Sequence, residues 1–87
     1  MTDPRTIAAG LSEARKRELA RVCRTNGGGV YIRCKVDAGE VVPANPLFRK
    51  LFDAGLVQGK AGAYETLVHT REGLAVYRAI LQEQDNA

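Results

Sequence analysis

The segment from Asn45 to Gly55 constrains the fold more than any other part of the chain. Asn45 is a favourable N-cap residue, and Pro46 suits the first helical position because its φ is preset and no free N–H is needed there. Gly55 is typical of a helix end, since glycine adopts the left-handed C-cap conformation at little cost. The segment therefore predicts a helix from Pro46 to Ala54, about two and a half turns long.

A β-hairpin and a final helix are predicted after this short helix. The extended segment 56–58, the glycine-containing loop 59–62 and the strand 63–69 form the hairpin. Thr70 is a suitable N-cap for the final helix. The apolar face of that helix is predicted to contain four residues at helical spacing: Val76, Tyr77, Ile80 and Leu81.

The first half of the chain predicts another helix and another hairpin. Ser12 caps a helix that reaches about Arg24, and the Asn-Gly-Gly-Gly run at 26–29 ends it. Apolar and polar residues then alternate over 30–36, which predicts a half-buried strand, and a turn at 37–40 leads back into a short strand. The inward face of the first strand is predicted to contain Val30, Ile32, Cys34 and Val36.

These elements predict one α+β domain in the order helix, β-hairpin, helix, β-hairpin, helix. Both hairpins are expected in one small antiparallel sheet packed against the helices. We expect a flexible N-terminal arm at 1–10, the folded domain at 11–82 and a polar C-terminal tail at 83–87. The predicted core contains residues from the apolar face of each element: Leu19, Val22, Ile32, Leu47, Leu51, Phe52, Leu56, Val76 and Ile80.

Positive charge is concentrated in the first two thirds of the chain. The 87 residues carry a net charge of +3, but residues 1–60 contain eleven Lys and Arg against six Asp and Glu, whereas residues 61–87 contain two against four. This distribution favours an acidic partner such as nucleic acid or an acidic protein surface. No apolar run approaches the roughly 20 residues that cross a bilayer, and the first residues lack the pattern of a secretory signal, so we expect a cytoplasmic protein that does not insert into a membrane.

Candidate catalytic and metal-binding groups are few. His69 is the single histidine, and the segment 55–61 differs from a phosphate-binding loop in its glycine spacing and in having Ala61 where a hydroxyl residue would hold magnesium. Cys23 and Cys34 are predicted to be reduced core thiols, with a disulfide or a metal site including His69 as the alternatives. We therefore expect a protein that is not an enzyme and has no cofactor or metal.

Residues 44–82 resemble the second part of a winged-helix domain. In that family a helix that ends in Gly-Leu-Val, here residues 55–57, leads into the wing, and a Thr-x-x-Gly step, here Thr70 to Gly73, opens the last helix. The resemblance implies a winged-helix fold and a small bacterial or prophage regulator that binds double-stranded DNA. The helix from Pro46 to Ala54 would be the recognition helix.

The resemblance also implies a set of DNA-binding residues: Asn45, Arg49, Lys50, Lys60 and Arg71. Lys60 would lie at the wing tip and Arg71 at the wing base, where cations suit phosphates. Arg49 and Lys50 would also suit guanine, with Asn45 or Gln58 for adenine.

A second basic surface supports an alternative function. On the first helix, Glu13 is positioned to pair with Arg17, and one face of the predicted strand presents a tyrosine together with two cations. The surface comprises Tyr31, Arg33, Lys35, Arg17, Arg21 and Arg24. The alternative is a phage-encoded interaction protein, an anti-CRISPR-like inhibitor that binds an acidic surface of a host complex. It agrees with the presence of one predicted helix, rather than two, between the first strand and the wing, and a homodimer is compatible with either function.

Overall fold

The chain forms a small α+β structure with antiparallel sheets, as the sequence predicts. The computed structural model describes residues 3–25, 29–60 and 63–85. Its elements follow in chain order: α1 (Pro4–Gly10), α2 (Glu13–Cys23), β1 (Val30–Tyr31), β2 (Cys34–Asp37), β3 (Glu40–Pro43), α3 (Pro46–Asp53), β4 (Val57–Lys60), β5 (Ala63–His69) and α4 (Arg71–Asp85).

The strands form two sheets rather than the single sheet expected from the sequence. One sheet has the strand order β1-β5-β4, and the other consists of β2 and β3 alone. The predicted strand over 30–36 is interrupted at residues 32–33, so Val30 pairs with Leu67 of β5 whereas Cys34 pairs with Pro43 of β3. The β2–β3 hairpin extends away from the core at its tip. Val36, which was predicted to face inward, is consequently 73% exposed.

A helix occupies most of the segment that was expected to be a flexible arm. The side chain of Asp3 caps α1 by accepting a hydrogen bond of 2.8 Å from the Arg5 amide, and Pro4 occupies the first turn. Ala8 is 1% exposed, and α1 packs against α4. The expectation of an arm is therefore wrong over 3–10, because Asp3 and Pro4 start a helix that buries Ala8. Residues 1–2 lie outside the described ranges.

The last helix is longer than predicted. It continues through Asp85, so most of the expected tail at 83–87 is helical, with exposed side chains at 83–85 and with residues 86–87 outside the described part. The predicted end of α2 at 26–28 and the hairpin loop at 61–62 also lie outside the described residues. At its described end, α2 is closed by Thr25, whose hydroxyl donates to the Val22 carbonyl at 2.7 Å.

The core lies among α1, α2, α3, α4 and the three-stranded sheet. Six of the predicted core residues are buried: Leu19, Val22, Leu51, Leu56, Val76 and Ile80. Ile32 and Phe52 pack against the core from partly exposed positions, and Leu47 is half-buried. The sequence analysis left out Leu67, which is fully buried on β5 because it pairs with both β1 and β4.

Candidate nucleic-acid interface

Helix α3 is held by its caps and by a buried apolar face. The Asn45 side chain accepts a hydrogen bond of 2.8 Å from the Leu47 amide, which closes the helix start. Phe48 and Leu51 are 3% and 0% exposed and attach the helix to the core. Since the Asn45 side-chain oxygen is used for the cap, a bidentate contact from Asn45 to adenine would require loss of that cap.

The predicted cations of α3 differ in their surroundings. The Arg49 Nε atom donates to Asp53 Oδ1 at 3.1 Å, one helical turn away, and the Arg49 side chain is 36% exposed. This ion pair offsets part of the positive charge on the helix face. Lys50 is exposed and forms no ion pair within the described ranges. Lys50 is therefore the better placed of the two for contact with an anion.

Two further cations lie on the elements that follow α3. Lys60 is exposed at the end of β4, next to an irregularity in the β4–β5 pairing between Gly59 and Lys60. Arg71 is exposed at the first position of α4. Neither forms an ion pair with any residue that the structure describes, so each is open to an external anion.

The end of α3, the start of β4 and the start of α4 are joined by hydrogen bonds to Thr70. The Thr70 hydroxyl donates to the Gly55 carbonyl at 2.5 Å, and its amide donates to the Leu56 carbonyl at 3.1 Å. The same hydroxyl accepts from the Gly73 amide at 3.0 Å and so caps α4. We call these four residues, Gly55, Leu56, Thr70 and Gly73, the Thr70 junction. It fixes how α3, β4 and α4 meet.

Gly73 has a packing role in this junction that the sequence analysis missed. A Cβ atom built on Gly73 would lie 1.9 Å from the Leu56 carbonyl oxygen. Only glycine lets the first turn of α4 approach the Leu56 backbone this closely. The Thr-x-x-Gly spacing was recognised as a helix start, but nothing in the sequence indicated which backbone the glycine would meet.

The three arginines of α2 that belong to the predicted second basic surface differ in their ion pairing. Arg21 pairs with Glu18 at 3.4 Å, whereas Arg17 and Arg24 are exposed and form no ion pair in the described part of the chain. The predicted pairing of Glu13 with Arg17 is wrong. Glu13 pairs with Lys16 at 3.5 Å instead, because the i,i+3 neighbour is also within reach on a helix.

The exposed face of β1 and β2 includes the remaining members of the predicted second basic surface. Tyr31 is 78% exposed, and Arg33 and Lys35 are exposed beside it along the chain. Val36 is also exposed, but it directly follows Lys35 on β2, so these two side chains lie on opposite faces of the strand. The Ala44 amide donates to the Arg33 carbonyl at 2.9 Å, which places this segment beside the start of α3.

Cys23 is buried, whereas Cys34 and His69 are half-buried. Cys23 and Cys34 are not joined by a disulfide, and the prediction of two core thiols is correct for Cys23 but wrong for Cys34, which lies outside the core. Burial raises the pKa of Cys23 to about 11 from an ordinary value of 9.0, whereas Cys34 is only half-buried and donates to the Ile32 carbonyl at 3.2 Å. The Nδ1 atom of His69 is buried without a hydrogen-bond partner. No group of three metal-ligating side chains occurs among the residues described.

None of the helices described is long and apolar enough to span a bilayer. Comparisons with protein-family models, with curated proteins and with solved structures found no match to this chain. The functional argument therefore depends on the geometry and charge of the chain itself.

Proposed function

We propose that this protein is a small, non-enzymatic DNA-binding regulator of the winged-helix type. In this proposal α3 and the β4–β5 hairpin approach the backbone of double-stranded DNA. Lys50, Lys60 and Arg71 would contact phosphates, and Arg49 would contribute when its bond to Asp53 opens. Phosphate contacts supply most of the affinity in such complexes, and they do not require a long recognition helix.

The observation that carries this proposal is the presence of three cations that form no ion pair with any described residue, on elements that the Thr70 junction holds together. Lys50 belongs to α3, Lys60 to β4 and Arg71 to α4, and all three are exposed. Because Thr70 bonds to both Gly55 and Leu56, the elements that bear these cations have a fixed relation to one another. A fixed arrangement lowers the entropic cost of binding a rigid polyanion.

The sheet connectivity gives further support. The α3 helix is followed at once by the β4–β5 hairpin, and β5 pairs on its other edge with β1. The order of α3, hairpin and α4 is the one expected from the winged-helix resemblance of residues 44–82, in which a short helix leads into the wing and the last helix follows. The basic first two thirds of the chain are also consistent with a polyanionic partner.

The test compares the DNA affinity of two double variants of equal net charge. One variant lacks two cations of the candidate interface, and the other lacks two cations outside it. Lys50→Ala with Lys60→Ala should weaken binding to duplex DNA and lower the salt dependence of log K by about two units. The control, Arg5→Ala with Arg78→Ala, removes two exposed cations from α1 and α4. Equal losses in both variants would mean that only net charge matters, and the proposed interface would be wrong.

A second candidate function is favoured by the exposed face of β1 and β2. Tyr31 is 78% exposed, Arg33 and Lys35 are exposed after it along the chain, and aromatic residues and arginine are enriched at protein interfaces. A winged helix has two helices where this chain has the β2–β3 hairpin and α3. We propose as the alternative a phage-encoded, anti-CRISPR-like inhibitor that uses this face to bind an acidic surface of a host complex.

The two candidates make opposite predictions for one pair of substitutions. Tyr31→Ala with Arg33→Gln should leave DNA affinity unchanged if α3 and β4 form the interface. The alternative instead predicts negligible DNA affinity for the wild-type chain even at low salt. It also predicts that the same two substitutions abolish inhibition of a host nucleic-acid-guided nuclease in a reconstituted cleavage assay.

A further inference from the structure

A cleft between α2 and α4 lies outside the candidate DNA interface. It has a volume of about 220 Å³, and none of the candidate DNA-binding residues lines it. Helix α2 supplies Glu13, Lys16, Arg17, Ala20 and Arg24, whereas α4 supplies Tyr77, Ile80, Leu81 and Gln84.

The lining of the cleft is mainly polar, with a small apolar floor that is partly open to solvent. Ala20 and Ile80 are 7% and 4% exposed at its base, and Leu81 is 38% exposed at its side. Enclosed cavities of about 150 Å³ accept a benzene-sized group. A cleft of this size therefore admits one aromatic or branched aliphatic side chain from another molecule.

The rim of the cleft on α2 is positively charged. It contains three cations and one carboxylate, and that carboxylate, Glu13, already pairs with Lys16 at 3.5 Å. Arg17 and Arg24 are exposed and form no ion pair within the described ranges. They lie seven residues apart, so their Cα atoms are about 10 Å apart along one face of α2.

We propose that this cleft binds an acidic amphipathic helix of a protein partner. An apolar side chain of the partner enters between Ala20, Tyr77 and Leu81, and two carboxylates seven residues apart in the partner meet Arg17 and Arg24. The charge of the rim selects an acidic segment, and the apolar floor selects an amphipathic one. The site is independent of DNA binding and would serve to bring a partner to the protein.

The test uses a synthetic fluorescein-labelled helical peptide with two glutamates seven residues apart and Leu-Phe between them. Fluorescence anisotropy should show saturable binding to the wild-type protein. Arg17→Gln with Arg24→Gln should weaken that binding about tenfold, whereas the charge-matched control Arg5→Gln with Arg78→Gln should change it by less than about twofold. Circular dichroism of both variants establishes that each retains its fold.

Two changes in the peptide separate docking from simple charge attraction. Replacing both glutamates by glutamine should weaken binding to the wild-type protein but have little further effect on Arg17→Gln with Arg24→Gln, since the two changes remove the same contacts. Replacing Leu-Phe by Ser-Ser should abolish binding, as should Leu81→Gln in the protein. Equal binding of the Ser-Ser peptide would overturn the proposal.

The cleft must also be shown to be the place of contact. Titration of isotopically labelled protein with the peptide should shift the amide resonances of Ala20, Tyr77 and Leu81 before those of α3 or β4. Sedimentation of the protein alone should show no dimer that the peptide dissociates. Resonance shifts confined to other elements would contradict the proposal. A dimer that the peptide dissociates would also contradict it, because a second copy of the chain would then cover the cleft.

Discussion

At the scale of single residues, Gly73 is a position where the fold does not accommodate a side chain. A methyl group there would meet the Leu56 carbonyl oxygen at 1.9 Å, and backbone atoms cannot move aside as a flexible side chain can. We predict that Gly73→Ala lowers the free energy of unfolding by about 1–3 kcal/mol, even though alanine is the better helix former. Denaturant titration monitored by circular dichroism measures the change.

A control for this prediction is available in α1. A Cβ atom on Gly10 would have no neighbour within 4 Å, so Gly10→Ala makes the same chemical change without a clash. It should leave the stability unchanged or raise it slightly. If both variants had equal stability, the close packing of α4 on Leu56 would be wrong.

Cys23 and Cys34 provide a second prediction at this scale. Burial raises the pKa of Cys23 to about 11, so its thiol stays protonated at pH 9, whereas Cys34 is half-buried. A thiol reagent at pH 8 should label Cys34 in the native protein and Cys23 only after unfolding. Mass spectrometry of the labelled peptides identifies the modified cysteine. Labelling of Cys23 in the native protein faster than that of Cys34 would contradict this prediction.

The same pKa shift has a consequence for stability at alkaline pH. The folded-state pKa of Cys23 lies above its ordinary value of 9.0, so the unfolded chain loses this proton first as pH rises. The stabilising contribution of the neutral thiol is therefore complete below about pH 9 and declines toward about pH 11. Cys23→Ala should reduce this part of the decline.

At the scale of elements, α1 is the helix that distinguishes the structure from the sequence-based expectation. Ala8 is 1% exposed against α4, whereas the adjacent Ala9 is exposed. Ala8→Gln should lower the free energy of unfolding by about 1–3 kcal/mol, because the larger polar side chain does not fit at the contact. Ala9→Gln, the matched control, should change it by less than about 0.5 kcal/mol.

A truncation gives an independent test of α1. Removal of residues 1–10 should lower the midpoint of thermal unfolding if the helix is part of the core. An unchanged midpoint, or equal effects of Ala8→Gln and Ala9→Gln, would mean that the segment behaves as the arm expected from the sequence.

The elements that were predicted correctly are those with local signals. The Asn45-Pro46 start of α3 and the Thr70 cap of α4 depend on residues within one turn, and both caps form as expected. The break of the first strand at 32–33 has no such signal. It depends on which distant strand each half pairs with, β5 for Val30 and β3 for Cys34, and alternation alone does not contain that information.

At the scale of the whole molecule, the α+β class was predictable but the division into two sheets was not. The same limit applies to the candidate site. Exposure of Lys50, Lys60 and Arg71 follows from their positions in the pattern, whereas the bond from Arg49 to Asp53 and the packing of Gly73 on Leu56 depend on three-dimensional neighbours. Charge patterning indicated an acidic partner but did not locate the cleft between α2 and α4.

The most direct test of the proposed function is the affinity of the wild-type protein for a short duplex DNA across a series of salt concentrations. If Lys50, Lys60 and Arg71 each displace counterions from one phosphate, log K should fall against log salt with a slope of about −3 or steeper. Tight binding at low salt with such a slope is the result that the account predicts. Absence of binding at the lowest salt, or a slope near zero, would contradict it.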